Sequence, residues 1–206
     1  METNRRKTLL PDSNLPYRFL ASKGKAQEYV AGSGLDWTAF RPSTIWGPED
    51  EFANSFAKLI PLTPIIFPII GDENSLFQPV WVEDVVTSVV SSIDDLTTIS
   101  EEYELGGPEI LTLEEIERRT ISALGTSRVM VKFPMPLIRI VVTGMEFLPS
   151  PPVTRSLLEL LQVSNVTTKN AINRFVDNPR PFTSDNAAEY MQDFQVRSTL
   201  AQFFGK

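Results

Sequence analysis

Apolar positions along the chain alternate between helical spacing and short continuous runs, and that alternation predicts an α/β protein. Between Phe19 and Ala31, residues Phe19, Lys23, Ala26 and Val30 fall at three- and four-residue spacing on one helical face, and Gly34 supplies a stop. The next run, Asp36 to Phe40, is aromatic, β-branched or small and reads as a buried strand. Pro42 has no N–H to donate, so the strand must end there. Helix followed by strand is half of a βαβ unit and calls for an earlier strand upstream, although few residues precede Phe19.

Helical spacing resumes from Asp50 to Ile60, with Phe52, Phe56 and Leu59 on one side. IPLTPIIFPIIGDENS carries three prolines and too much isoleucine for a solvated loop, which predicts an extended segment lying against another surface. LFQPVWVEDVVTSVVSSIDD reads as a short strand and then a helix started by Asp84, with Val85, Val86, Val89, Val90 and Ile93 as its buried stripe. Glu102–Leu105 is a further strand before Gly106-Gly107-Pro108. Thr112 then caps an amphipathic helix, with Glu115 three residues on and Gly125 closing it. RVMVKFP is strand-like. Two helices follow, 137–147 and 154–162, separated by PSPP, and the polar tail from Ser164 predicts short helices or a wrapped arm with apolar patches at 171–176, 190–194 and 200–204. The pattern is α/β to residue 107 and mainly helical after it.

In open α/β sheets ligands sit beyond the carboxyl ends of the strands, which directs attention to Ser43, Thr44, Ile45 and Gly47. Composition narrows the chemistry available there. With no His and no Cys among 206 residues, His-based acid–base catalysis, thiol nucleophiles, disulfides and thiolate zinc sites are all excluded. A net charge of −7 argues against a nucleic-acid partner. The most apolar stretch, Val129 to Leu148, is interrupted by Lys132, Arg139 and two prolines, so it reads as a strand followed by a buried or interface helix, not a membrane span. The polar opening METNRRKTLLPDSN lacks the apolar segment of a secretory signal, so secretion is not expected.

The segments FLASKGKAQEYVAGSGLDWTAFRPSTIWGPED, FQPVWVEDVV, YELGGPEILTLEEI and PPVTRSLLELL, in this order and spacing, resemble the C-terminal half of atypical short-chain dehydrogenase/reductase-like NAD(P)-binding proteins. They are most similar to the branch holding the nucleotide-binding accessory subunit of respiratory complex I and its bacterial relatives. The likeness runs from Tyr17 to Pro181, and NVTTKNAINRFVDNPRPF shares it. The resemblance implies the C-terminal part of a Rossmann-like doubly wound sheet in residues 1–107, followed by a small, mainly helical cap or substrate domain and tail in 108–206. Members of the family begin with a strand, a Gly-rich turn and a helix that receive the pyrophosphate. Here Gly32-Ser-Gly34 precedes a strand, and Gly106-Gly107 has no later glycine or immediate helix. The chain is therefore expected to be truncated or split.

In active members a Tyr and a Lys stand at YxxxK spacing. Here Phe19 occupies the Tyr slot four residues before Lys23, and Tyr17, six residues before it, is out of place. The resemblance thus implies no catalytic residue, with Lys23, Pro42, Ser43, Thr44 and Ile45 as cofactor contacts and Gln78 and Trp81 at a substrate cleft. Read on their own, Lys23 is a solvated helix lysine and 41–44 a strand end with a turn. No metal site is expected, because Glu49, Asp50 and Glu51, and Glu114 with Glu115, suit helix N-termini. The function implied is a non-catalytic NAD(P)-binding-type or structural subunit, complex I accessory-like. The alternatives are the C-terminal part of an NAD(P)-dependent reductase or sugar-nucleotide epimerase completed by a second chain, and a ligand-free scaffold. NAD(P) is expected only if the N-terminal half is supplied. The expected partner is the protein that supplies it or a multi-subunit complex, peripheral to a membrane complex, on the matrix side of the mitochondrial inner membrane or in the bacterial cytoplasm.

Overall fold

Helix α1 (Arg18–Ala31) runs out before Gly34, whose φ of +75° suits glycine, and leads into strand β1 (Thr38–Pro42), which ends at the proline. These elements come from a computed structural model that describes residues 18–70, 75–147, 151 and 153–191. The lead-in 1–17 with Tyr17, most of PSPP and the patch at 200–204 lie outside the described residues, as does the side chain of Phe19. After β1 come β2 (Ile45–Trp46), α2 (Ala53–Leu59), a 3-10 turn at Ile60–Leu62, β3 (Ile66–Ile69), β4 (Leu76–Phe77), β5 (Val80–Trp81) and α3 (Val82–Ile93). A second 3-10 turn (Leu96–Thr98) precedes β6 (Glu101–Leu105), β7 (Leu111–Thr112), α4 (Leu113–Ala123), β8 (Val129–Lys132) and α5 (Met135–Met145). The short helices α6 (Arg155–Leu160), α7 (Ile172–Phe175) and α8 (Ser184–Met191) complete the described chain. The fold is mixed α/β, as expected.

β1 pairs in parallel with β6, placing Phe40 beside Tyr103, Arg41 beside Glu104 and Pro42 beside Leu105. Side chains alternate across the strands, so the pair has two different faces. On one, Phe40 stacks with Tyr103 at 5.8 Å, Phe175 of α7 meets both rings, and Val85 of α3 packs alongside. On the other, Arg41 pairs with Glu102 at 2.6 Å and accepts the Gln27 side chain of α1 as a partner, Nε donating to Gln27 Oε1 at 2.9 Å. Helices therefore flank the pair on both sides, the three-layer arrangement of a doubly wound sheet.

Among the described residues the far edge of β1 is open. Trp37 C=O accepts from Ser100 N–H and Ser43 N–H donates to Leu105 C=O, so odd-numbered positions turn their backbone groups toward β6. Thr38 and Phe40 then turn theirs away, and no described strand pairs with them.

The predicted buried stripe of α3 is overturned. Val85 is half-buried, but Val86, Val89, Val90 and Ile93 are exposed, Ile93 by 71%, while Asp84 and Ser88 are buried. The helix turns its Asp-Ser side inward because that side has partners: Asp84 accepts from Arg180 N–H at 2.8 Å, and Ser88 Oγ donates to Asp84 C=O. The role of Asp84 as a helix-starting cap is likewise corrected, since Trp81 stands at the N-cap position. The outer face of α1 also departs from the pattern, with Lys23, Ala26 and Val30 exposed.

Elsewhere the sequence reads through. β3 pairs in parallel with β8, so the proline-rich segment lies extended against a second strand, with Ile60 and Ile70 buried but Ile65 and Ile66 exposed. Thr112 Oγ1 accepts from Glu115 N–H at 3.2 Å, and Thr154 caps α6 in the same way. The main core gathers Trp46, Phe56, Phe67, Ile116, Leu158, Leu161 and Met191, all essentially without solvent contact. A smaller cluster of Val80, Leu105 and Ile172 lies under β1 and β6.

Candidate functional site

The carboxyl ends of β1 and β6 come together as a fixed strand end. Ser43 N–H donates to Leu105 C=O at 2.8 Å, and Val80 N–H donates to Thr44 C=O at 3.0 Å, while Ile45 stands opposite Val80. Pro42, Ser43, Thr44 and Ile45 are thereby held from both sides. Ser43 is buried, and its hydroxyl donates to the backbone C=O of Asn165 at 2.9 Å. Lys23 is exposed in the second turn of α1, the helix that reaches this sheet through Gln27.

The glycine pair after β6 is used by the protein itself. A Cβ on Gly107 would stand 1.7 Å from the carbonyl oxygen of Pro79, and one on Gly106 would stand 2.5 Å from Cδ of Gln78. Gln78 is buried; its Nε2 donates to Gly107 C=O at 2.9 Å, and its Oε1 accepts from Thr167 N–H at 3.1 Å. The Asn170 side chain spans Gly106, accepting from its N–H and donating to its C=O, each at 2.9 Å. These glycines give close backbone approach within the chain, so their open space is already filled and cannot cradle a pyrophosphate.

Trp81 belongs to a second layer. Its ring lies 4.4 Å from that of Trp46, and the Arg180 guanidinium sits 4.8 Å over it. Asp50 reaches the same layer, accepting from Gly47 N–H at 3.0 Å, from Asn54 N–H at 3.1 Å and from Tyr190 Oη at 3.4 Å. Burial pushes the Asp50 carboxyl up despite these donors. Burial, together with the neighbouring Asp50 charge, pushes the Tyr190 phenol far up, so its hydroxyl remains a donor. Among the described residues no group of three or more acidic side chains gathers where a metal could sit.

The structure thus brings Pro42, Ser43, Thr44, Ile45 and Gln78 to one strand end, with Trp81 in the adjoining layer. Sequence reasoning missed Asn165, Thr167, Asn170 and Arg180, the tail residues that lock this end from far along the chain. The signal was there in the turn-forming NVTTKN, whose Asn and Thr side chains readily bond backbone groups. The site holds backbone rigidly and presents aromatic walls. Behind it, the buried Glu104 carboxylate accepts from the Thr167 hydroxyl.

No family model matches the chain. Over 186 residues it is 29% identical to NADH dehydrogenase [ubiquinone] 1 alpha subcomplex subunit 9, mitochondrial, of Arabidopsis thaliana, covering 88% of this chain and 43% of that protein. The mouse protein of the same name is 28% identical over 155 residues, 71% of this chain and 39% of its own length. The chain therefore spans less than half the length of these curated relatives. Among solved structures, a nucleoside-diphosphate-sugar epimerase from Staphylococcus aureus aligns with a TM-score of 0.63 at 14% identity, over 90% of this chain and 62% of that one. UDP-glucuronic acid 4-epimerase from Bacillus cereus, in complex with UDP-glucuronic acid and NAD, aligns at 0.58 and 13% identity, over 89% and 54%. The chain is thus similar in sequence to the alpha-subcomplex subunit 9 of mitochondrial NADH dehydrogenase, and its fold is the Rossmann-like α/β fold that it shares with these two epimerases.

Proposed function

We propose that this chain is a non-catalytic, NAD(P)-binding-type or structural subunit of a larger assembly of the complex I kind, with its sheet continued across the open edge of β1. The observation that carries the reading is that edge: no described strand pairs with the backbone of Thr38 and Phe40, which lies between a helix on each face, and the outer face of α3 is apolar and exposed. A parallel strand there would satisfy the backbone, and its flanking helix would cover Val86, Val89, Val90 and Ile93. The residues that complete the sheet lie outside this sequence, on the same polypeptide or on a second one. In this arrangement residues 1–107 form one wall of the cofactor cleft and 108–206 the cap. Lys23 and the backbone of 42–45 face the nicotinamide end, and Gln78 and Trp81 border the substrate side. The pyrophosphate cradle must come with the completing half, because Gly106 and Gly107 are committed to Gln78 and Pro79.

Phe19 in place of the proton-shuttling tyrosine supports the non-catalytic role, and similarity to a named mitochondrial complex I subunit supports placement on the matrix side, peripheral to a membrane complex. Nucleotide analysis of the native assembly tests the reading. Stoichiometric NADPH or NADH without substrate-dependent turnover is the expected result. Turnover would instead favour an epimerase or reductase completed by a Gly-rich partner, the reading that the NAD-bound fold neighbours support. An assembly with no nucleotide would leave a scaffold.

A further inference from the structure

β2, β5 and α8 each bring one electron-rich ring to the second layer. Trp46, Trp81 and Tyr190 stand there as a triangle, with Trp46 4.4 Å from Trp81 and 6.4 Å from Tyr190, and Trp81 6.3 Å from Tyr190 between ring centroids. Where thiols are absent, indole and phenol are the side chains that most readily give up a single electron, and this chain has no Cys.

The three rings differ in where the charge left by that electron can go. Trp46 is fully buried and its Nε1–H has no hydrogen-bond partner among the described residues, so an oxidised Trp46 has nothing to take its proton and keeps its positive charge. The Arg180 guanidinium stands 4.8 Å over Trp81 and 5.9 Å over Trp46. A cation is attracted to the face of a neutral indole and repelled by an oxidised one. Glu189 pairs with Arg180, but its side chain is 62% exposed and solvent screens it.

Tyr190 is placed differently. Its Oη lies 3.4 Å from Asp50 Oδ2, on a carboxylate held by Gly47 N–H and Asn54 N–H. Burial raises the affinity of Asp50 for a proton and keeps the phenol proton in place until an electron leaves. An oxidised phenol is a strong acid. By handing its proton to Asp50, Tyr190 becomes a neutral radical, which the Arg180 charge does not oppose.

We propose that Trp81, Trp46 and Tyr190 form a one-electron relay that ends on Tyr190, with Asp50 as the proton acceptor. A small radical oxidant in solution takes one electron from half-buried Trp81 and leaves an indole radical cation. One electron then passes from Tyr190 to the indoles, directly or through Trp46, and restores them. The Tyr190 O–H bond breaks and an O–H bond forms at Asp50 Oδ2. The oxidant is reduced by one electron and Tyr190 oxidised by one, and re-reduction returns the proton. The relay needs neither the completing half of the sheet nor a nucleotide.

Pulse radiolysis of the full chain with the azide radical, which oxidises indoles selectively, tests the relay. In the wild type the indolyl absorption should decay as a tyrosyl absorption rises, at a rate independent of protein concentration. Tyr190→Phe should remove most of that rise and prolong the indolyl signal, with a wild-type circular dichroism spectrum because only one hydroxyl is deleted. Tyr29→Phe, at an exposed ring on α1, should leave the rise unchanged. Asp50→Asn cannot hold the transferred proton and should slow the rise on the order of a hundredfold. Heavy water should slow the wild-type rise as well. A wild type with no concentration-independent rise overturns the proposal, as does a Tyr190→Phe variant with the rise intact. Equal rates in light and heavy water would overturn the transfer to Asp50, even if Asp50→Asn failed to fold.

Discussion

Around Trp46, Phe56 and Phe67 the molecule buries aromatic and aliphatic side chains almost completely, drawing on α2, β3, α4, α6 and α8. Around β1 and β6 the fully buried apolar residues in the second cluster are, among the described residues, Val80, Leu105 and Ile172, and both flanking helices present apolar side chains to solvent. Hydrophobic stabilisation follows the area removed from water, so the first region has the larger apolar core of its own, and the second is where the proposed continuation of the sheet would add burial. The contrast locates the division between what the chain stabilises and what it offers. It also explains why the strand end at 42–45 needs the tail: Asn165, Thr167 and Asn170 supply by hydrogen bonding the rigidity that the thin cluster beneath β6 does not.

The largest effect should fall in the packed region. Phe56 has no solvent exposure, so Phe56→Ala should cost about 4 kcal/mol in urea unfolding. Half-buried Phe40 on β1 should cost clearly less on the same change, and equal costs would erase the contrast. Next is the seam between the regions. Gly107→Ala places a methyl against the Pro79 carbonyl, backbone against backbone, and should cost about 3 kcal/mol by displacing the β5 approach. A variant melting with the wild type would mean that this crossing has room the geometry denies.

The third test concerns a charge inside the packed region. Glu117 is fully buried; Oε1 accepts from Ile70 N–H at 3.0 Å, and Oε2 has no hydrogen-bond partner among the described residues. Burial holds its carboxyl well above the usual carboxylate range, against the Ile70 bond that lowers it. The folded state then keeps a proton that the unfolded chain releases, so stability falls as pH rises from the ordinary carboxylate range through the raised folded-state value. Glu117→Gln keeps the acceptor for Ile70 and removes the titration. Melting temperature against pH should flatten in the variant, recovering on the alkaline side up to about 1–3 kcal/mol, the usual cost of an unsatisfied buried polar group. Parallel pH curves would show that Oε2 finds a partner in solution.

Much of this was legible in the sequence where a local rule decides the outcome. Pro42 ends β1 because it lacks a donor, Gly34 and Gly125 take positive φ, and Thr112 caps α4 because its hydroxyl accepts from Glu115 N–H. The fold class followed from spacing, and the family likeness from four motifs in register. What failed was the direction of α3. Periodicity shows that Val86, Val89, Val90 and Ile93 share a side but says nothing about what covers that side, and within this chain the covered side is the one carrying Asp84 and Ser88. The bracket that fixes the strand end was equally illegible, since Thr167 and Gln78 stand 89 residues apart and meet only after the tail has wrapped.

The smallest effect is the most informative about the open region. Val90 is 58% exposed and Ile93 71%, so changing both to Ser removes little buried area from the isolated chain. Serine and valine also have similar helix propensities, so the helix itself gains no reason to fray. The double variant should melt within about 0.5 kcal/mol of the wild type, while its recovery in the native assembly falls sharply, because serine hydroxyls on that face would be buried there without partners. A large loss of stability in the isolated chain would mean that the chain already covers α3, and the contrast would then dissolve. Unchanged stability with unchanged assembly would leave α3 exposed in the working protein too. The completing sheet would then meet β1 through its edge alone, held by Thr38 and Phe40 backbone bonds without a helix seated on α3.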